Sequence, residues 1–229
     1  MAQKCLVSGL PLAHGCTDSM HDFELLYQDD TLLVLNKPAE LLSVPGRGVE
    51  RFDSLQTRVQ AAYPDALIVH RLDMSTSGIM VMARGKDAQR SLNKAFASRT
   101  VAKKYIAVVN GIVEPNYGVV DLPLITDWPN RPLQKVDYLL GKPSLTHYSV
   151  LSRDKKANAS RLELRPQTGR SHQLRVHMMA LGHTILGDNL YADDQVLRKA
   201  LRLQLHAEEI SFEHPGTRKV VHFSCEAPF

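Results

Sequence analysis

The sequence predicts an α+β fold built on an extended, mainly antiparallel mixed sheet with flanking helices and loops. Three observations carry this. Strand-like segments follow one another in runs, as at 145–152 then 160–166, and at 203–215 then 218–225, instead of alternating with helices. Helical spacing is confined to three stretches, near 53–64, 86–98 and 167–183. The signatures of nucleotide-binding α/β folds are missing, since no GxGxxG follows a strand and there is no GxxxxGK[ST].

Segments 23–29 (FELLYQD) and 31–38 (TLLVLNKP) read as strands joined at Asp29-Asp30, with Pro38 ending the second. Residues 41–48 form a loop by their Pro and Gly content. The next stretch carries helical spacing at Leu55, Val59 and Ala62, with Asp53 or Ser54 as N-cap and Pro64 as stop. Residues 65–73 read as a strand running into the loop VHRLDMSTSG, and 78–83 (GIMVMA) is apolar on both faces and therefore central in a sheet. The helix over 86–98 sets Ala88, Leu92, Ala95 and Phe96 on one side and Lys86, Arg90 and Lys94 on another, four residues apart. In the strand KKYIAVVNG, Tyr105, Ala107 and Val109 share a face. The stretch 127–144, rich in Pro, Gly and basic residues, reads as a surface loop beside a short strand, placed to touch a ligand. The final helix starts past Gly169, meets the core through Leu174, Met178 and Leu181, and ends at Gly182.

At 229 residues the chain has room for one catalytic-sized core, expected over 22–229, behind a mobile leader at 1–21. Lys and Arg outnumber Asp and Glu by 28 to 24, which suits a polyanionic partner without requiring one. No window is apolar enough to span a membrane, and the N-terminus lacks the pattern of a secretory signal, so a cytoplasmic protein is expected. The three cysteines contain no CxxC pair, so free thiols are expected, and Cys5, His14 and Cys16 fit no standard zinc spacing. His172 and His177 stand five apart, about 140° around a helix, so they share no face on which to hold a metal. Ser75 and Ser77 lie in no GxSxG context, which argues against a serine hydrolase.

Two polar concentrations remain. Asp73 falls in a loop between apolar strands, where a carboxylate is partly desolvated and calls for a cation to keep it ionised. The segment RPQTGRSHQLRVH at 165–177 supplies Arg165, Arg170 and Arg175, and Arg175 sits on the first turns of a helix whose neighbour Leu174 faces the core. A partly buried arginine there calls for an acid.

Four segments in the same order, NKPAELLSVPGRG (36–48), HRLDMSTSGIMVMA (70–83), KKYIAVVNG (103–111) and TGRSHQLRVHMMALGHTILGD (168–188), resemble the signature segments of the RluA family of pseudouridine synthases. The resemblance runs from about residue 22 to the C-terminus. The stretch DLPLITDWPNRP and the absence of an S4-like RNA-binding domain are similar to the subgroup acting on both 23S ribosomal RNA and the tRNA anticodon stem-loop.

The resemblance implies the pseudouridine synthase fold with its active site in a central cleft. It implies that Asp73 is the essential catalytic residue for breaking the bond from ribose to uracil N1, after which the base rotates and rejoins through C5. Asp73 either attacks the sugar or the base, or takes a proton from the sugar to give a glycal. Tyr105 matches the tyrosine that stacks on the flipped uracil and assists loss of the C5 proton, and Arg175 matches the buried arginine paired with Asp73. Arg71 then fills the gap left by the flipped base. His70, Arg170, His172 and Gln173 join it as contacts to the target nucleotide or its phosphates, with Lys86, Arg90 and Lys94 tracking the backbone. Asn36, Lys37, Arg47, Asn130 and Arg131 are further candidates. The isomerisation is redox-neutral and implies no cofactor or metal, and the expected enzyme is a monomer acting on structured RNA. The alternatives are the same chemistry on another RNA, or a non-catalytic RNA-binding protein on the same fold.

Overall fold

A computed structural model describes residues 5–8, as backbone, and 23–229. The chain clusters into two compact units, one taking in the chain up to Lys103 and again Ala207–Pro228, the other Lys104–His206 with Phe229. The first unit holds β1 (Cys5–Ser8), β2 (Glu24–Gln28), β3 (Leu32–Lys37), α1 (Leu55–Ala62), β4 (Ala66–Ile68), β5 (Ser77–Arg84) and α2 (Lys86–Ala97). Strand β6 (Ala102–Asn110) leads into the second unit. That unit holds β7 (Tyr117–Asp121), β8 (Leu124–Thr126), β9 (Gln134–Val136), β10 (Leu145–Asp154), β11 (Ala159–Pro166), α3 (Gln173–Ala180) and α4 (Asp194–Leu197). The chain then returns along β12 (Leu205–Glu213) and ends with β13 (Val220–Cys225).

In the first unit the strands lie in the order β2-β3-β5-β12, with β4 also on β5, β13 on β12 and β1 on β13. The ladders β2/β3, β3/β5, β4/β5, β12/β13 and β1/β13 are antiparallel. Alternation explains its two layers of core. Leu32, Val34, Ile79, Val81 and Ala83 face one side with Ala88 and Leu92 of α2 and with Val221 and Phe223 of β13. Leu33, Leu35, Met80 and Met82 face the other with Leu55 and Val59 of α1. Both sides of β3 and β5 are therefore covered, which is why their sequences read as continuous apolar runs.

The N-cap of α1 is Ser54. Its hydroxyl accepts from the Thr57 N–H at 3.2 Å while Thr57 Oγ1 accepts from the Ser54 N–H at 3.0 Å, a reciprocal capping box. Asp53, the other candidate cap, pairs with Arg58. Lys86, Arg90 and Lys94 of α2 are all exposed on its outer side, where Arg90 also bonds Asp87. Apart from the strand at 5–8, the leader expected over 1–21, with His14 and Cys16, lies outside the described residues. Cys225 is a buried free thiol.

The second unit orders its strands β6-β11-β10-β7, all antiparallel, beside a separate two-stranded ribbon of β8 and β9. Its core joins Ala107, Val109, Leu162 and Leu164 to Leu174 and Met178 of α3, with Tyr105 packed at the edge. The sequence placed Leu181 in that core too, but the side chain is exposed. The helix closes one residue earlier: the Gly182 and His183 N–H groups bond the carbonyls of Met179 and Met178, with Gly182 at φ +81°. This Schellman closure turns the chain outward at Leu181. No helix among the described residues is long and apolar enough to cross a membrane.

The two-layer packing predicts that Leu35→Ala, at a position with no exposed surface, lowers the unfolding free energy by about 2–5 kcal/mol. Urea denaturation followed by circular dichroism measures it, and a loss below about 1 kcal/mol would contradict this packing.

Candidate active site

The loop between β4 and β5 is held through its backbone. Val81 N–H donates to His70 Nε2 at 2.9 Å, and the His70 ring stacks on Phe96 with centroids 4.7 Å apart. Ser43 Oγ accepts from Leu72 N–H at 3.0 Å and donates to the Leu72 carbonyl at 2.7 Å. The Asp73 carbonyl accepts from Thr76 N–H at 3.1 Å. Met74 carbonyl accepts from Lys37 Nζ at 2.9 Å, and the same ammonium donates to the carbonyls of Pro38 and Leu41 at 2.8 and 2.7 Å. With positions 70, 72, 73 and 74 bonded in this way, Arg71 is exposed and Asp73 half-buried.

Glycine is required where this loop enters β5. Gly78 has φ +114°, and a Cβ on it would strike the carbonyl of Ala207. Ser75, Thr76 and Ser77, which lead into it, are buried.

Several residues singled out as RNA contacts are turned inward here. His70 accepts a backbone N–H, and burial, reinforced by the charge of Lys103, pushes its pKa down to about 3. The ring is neutral at pH 7 and adds no positive charge. Lys37 is fully buried, and Asn36 is buried and donates to Glu24 Oε2 at 2.8 Å. Arg47 is exposed.

The second polar concentration read from the sequence lies around the N-terminal end of α3. Tyr105 of β6 stands opposite Leu164 of β11 and is half-buried. Arg175 is 2% exposed, and the acid bonded to its Nε and Nη2 is Asp188, at 2.8 and 2.5 Å. Asn189 Oδ1 accepts from Nη2 at 3.2 Å. Asp188, with no exposed surface, also accepts the N–H groups of Leu190 and Tyr191. Its turn needs Gly187, at φ +69°, because a Cβ there would strike the Arg202 carbonyl. The Arg175 guanidinium lies 5.2 Å from the centre of the Tyr191 ring. Tyr191 Oη accepts from Gln134 N–H at 2.9 Å and sits 2.7 Å from Nδ1 of His172.

Gln173 is buried too, and both ends of its amide are bonded inside the protein. Its Oε1 accepts from Thr168 Oγ1 and the Arg170 N–H, while Nε2 donates to the Leu145 carbonyl and to Thr146 Oγ1. Thr146 bonds His177 Nδ1 at 2.9 Å, and His177 Nε2 donates to the Leu122 carbonyl at 3.1 Å. Burial lowers the pKa of His177, which keeps that ring neutral. The network shapes the turn that presents Arg170 and His172. Gln173, suggested as an RNA contact by the family resemblance, thus has its amide bonded within the protein.

Asp188, Tyr191, Thr146 and Thr168 were not singled out from the sequence. A buried arginine announces that an acid is needed without saying which. The one available signal was the Gly-Asp pair closing the 168–188 segment.

Residues 31–180 match the family model described as RNA pseudouridylate synthase. The dual-specificity RNA pseudouridine synthase RluA of Yersinia pestis is 53% identical over 205 residues, covering 90% of this chain and 99% of that protein. The protein of the same name from Escherichia coli (strain K12) is also 53% identical, covering 90% of this chain and 93% of its own length. Among solved structures, human RNA pseudouridylate synthase domain containing 1 gives a TM-score of 0.77 at 29% identity, covering 92% of this chain and 86% of that one. Human RNA pseudouridylate synthase domain containing 4 gives 0.72 at 27%, covering 89% and 88%.

Two predictions follow from charge and burial. Asp188→Ala leaves a guanidinium buried without its bidentate acid, so the unfolding free energy falls by about 3–5 kcal/mol, measured in urea; an unchanged midpoint would refute the pair's importance. His70 has a folded pKa below its ordinary 6.5, so its contribution to stability is complete above 6.5. It is lost as pH falls towards 3, because the unfolded ring takes up a proton that the folded ring refuses. His70→Gln should therefore flatten the acid side of the stability profile by up to about 1.4 kcal/mol per pH unit. Parallel profiles for the two proteins would contradict a neutral His70.

Proposed function

Since the chain belongs to the RNA pseudouridylate synthase family and is an isomerase that modifies RNA, we propose that Asp73, Tyr105 and Arg175 are its catalytic set. In this reading Asp73 begins cleavage of the bond between C1′ and N1 of a uridine, by attack on the sugar or base or by taking a sugar proton. The freed uracil turns and C5 bonds to C1′, after which C5 loses its proton. Atoms balance without an oxidant, a reductant or a cofactor. Tyr105 stacks on the uracil and assists that proton's departure, and Arg175 favours the ionised form of Asp73.

The observation that carries the reading is the loop at 70–76. A carboxylate that must meet a glycosidic bond needs a backbone that does not drift, and the bonds at His70, Leu72, Asp73 and Met74 provide one. In this reading Arg71, exposed beside it, fills the space vacated by a flipped base, where its plane can stack. Arg170 and His172, and the exposed Lys86, Arg90 and Lys94, take the phosphates.

The substrates proposed are 23S ribosomal RNA and the tRNA anticodon stem-loop, supported by 53% identity across 90% of the chain to proteins named for dual specificity. The same reading carries a monomer working in the cytoplasm. The test is tritium release from C5-labelled uridine in an anticodon stem-loop and in a 23S fragment. Wild type is expected to release tritium from both, and Asp73→Asn to fall by more than about a thousandfold with RNA binding retained. Turnover near wild type in the variant would remove Asp73 from its role, and release from one RNA alone would refute dual specificity.

A further inference from the structure

The second unit carries a rigid ribbon whose tip has no part in the chemistry above. Strands β8 and β9 pair from Leu124↔Val136 to Thr126↔Gln134, and the seven residues 127–133 between them are internally bonded. Asp127 N–H donates to the Leu133 carbonyl at 2.9 Å, Leu133 N–H to Asn130 at 3.0 Å, and Asn130 Nδ2 to the Asp127 carboxylate at 2.9 Å. On this tip Trp128, the chain's one tryptophan, is 64% exposed. Arg131 donates from Nε to the Trp128 carbonyl at 3.3 Å and lays its guanidinium 4.6 Å from the indole centre.

We infer that Trp128, backed by Arg131, is a stacking platform for an unpaired base of the substrate RNA, at a nucleotide other than the target uridine. The inference rests on the pseudouridine synthase reading and extends it to a second contact.

Three features favour a nucleotide over a protein surface as the occupant. A large flat aromatic held in the open by an ordered tip is the element on which bases stack whatever their identity. Its backing is a guanidinium, which supplies positive charge next to where the nucleotide's phosphate must run. The ribbon is also tied to the neighbourhood of Arg175: Gln134 N–H, at the start of β9, donates to Tyr191 Oη, and the Tyr191 ring lies against the Arg175 guanidinium. A base stacked at the tip is therefore registered against the arginine that the proposed chemistry uses. Recognition of unpaired loop bases by aromatic side chains is also how a protein can distinguish one stem-loop from another.

Because the chain has a single tryptophan, its fluorescence reports on this position alone. The experiment titrates the Asp73→Asn protein with an anticodon stem-loop, following tryptophan emission and, in parallel, filter binding of the labelled RNA. It then compares turnover by wild type, Trp128→Ala and Trp128→Phe. Saturable quenching with the same midpoint as filter binding is expected. Trp128→Ala should raise KM by about ten- to a hundredfold with kcat within about twofold, as removal of one base stack requires, and Trp128→Phe should retain most of the affinity. RNA that binds without altering the emission, or a Trp128→Ala enzyme with unchanged KM, overturns the platform while leaving the catalytic reading intact. An RNA neither bound nor modified by wild type overturns both.

Discussion

A fully buried ammonium has to find acceptors for its three protons, and much of the first unit is arranged around how Lys37 does so. Its partners are the carbonyls of Pro38, Leu41 and Met74. Two of these lie just past the end of β3, so the turn after Asn36-Lys37-Pro38 must curl back over its own lysine. The third lies one residue beyond Asp73. Leaving any of these groups without a partner away from water would cost on the order of 1–3 kcal/mol or more, so the early segment and the loop at 70–76 are locked together. Ser43 repeats the tie one residue before Asp73 by bonding both backbone groups of Leu72.

The second unit handles buried charge differently. Arg175 receives a carboxylate, Asp188, which is itself held by two backbone N–H groups and by a glycine turn. Such a pair gains little net stability over an apolar core, because both ions are stripped of water. What it provides is direction: the guanidinium plane is fixed at one edge and by the Tyr191 ring below it. The amide of Gln173 and the hydroxyls of Thr146 and Thr168 do the same for the preceding turn, with each polar atom satisfied by another. The amide of Gln173, which the family resemblance suggests as a contact to RNA, is bonded within this network, next to the turn that carries Arg170 and His172.

The family's chemistry asks for few side chains but demands exact backbone placement, and the molecule places its rigidity accordingly. Strand β5, covered on both faces, follows the loop that carries Asp73, Lys37 at the end of the equally covered β3 bonds that loop, and a helix buried on six successive residues carries Arg175. The side chains left accessible, Arg71, Lys86, Arg90, Lys94 and Trp128, are those suited to a flexible polyanion.

How much of this could be read from the chain alone depended on whether the signal was local. Alternating or continuous apolar runs, capping residues and turn glycines lie within a few residues of what they control, so β2, β3, β5, α1, α2 and the β10/β11 pair were all legible. The catalytic candidates were legible because HRLD, the Tyr105 strand and the Arg175 helix are short segments with a family likeness. The partners of buried polar groups were not. Which acid meets Arg175, which carbonyls receive Lys37 and which groups bond the Gln173 amide are decided between residues up to 37 positions apart. Sequence pattern records that a group will be buried, while only the folded chain determines the atom that completes its hydrogen bonds.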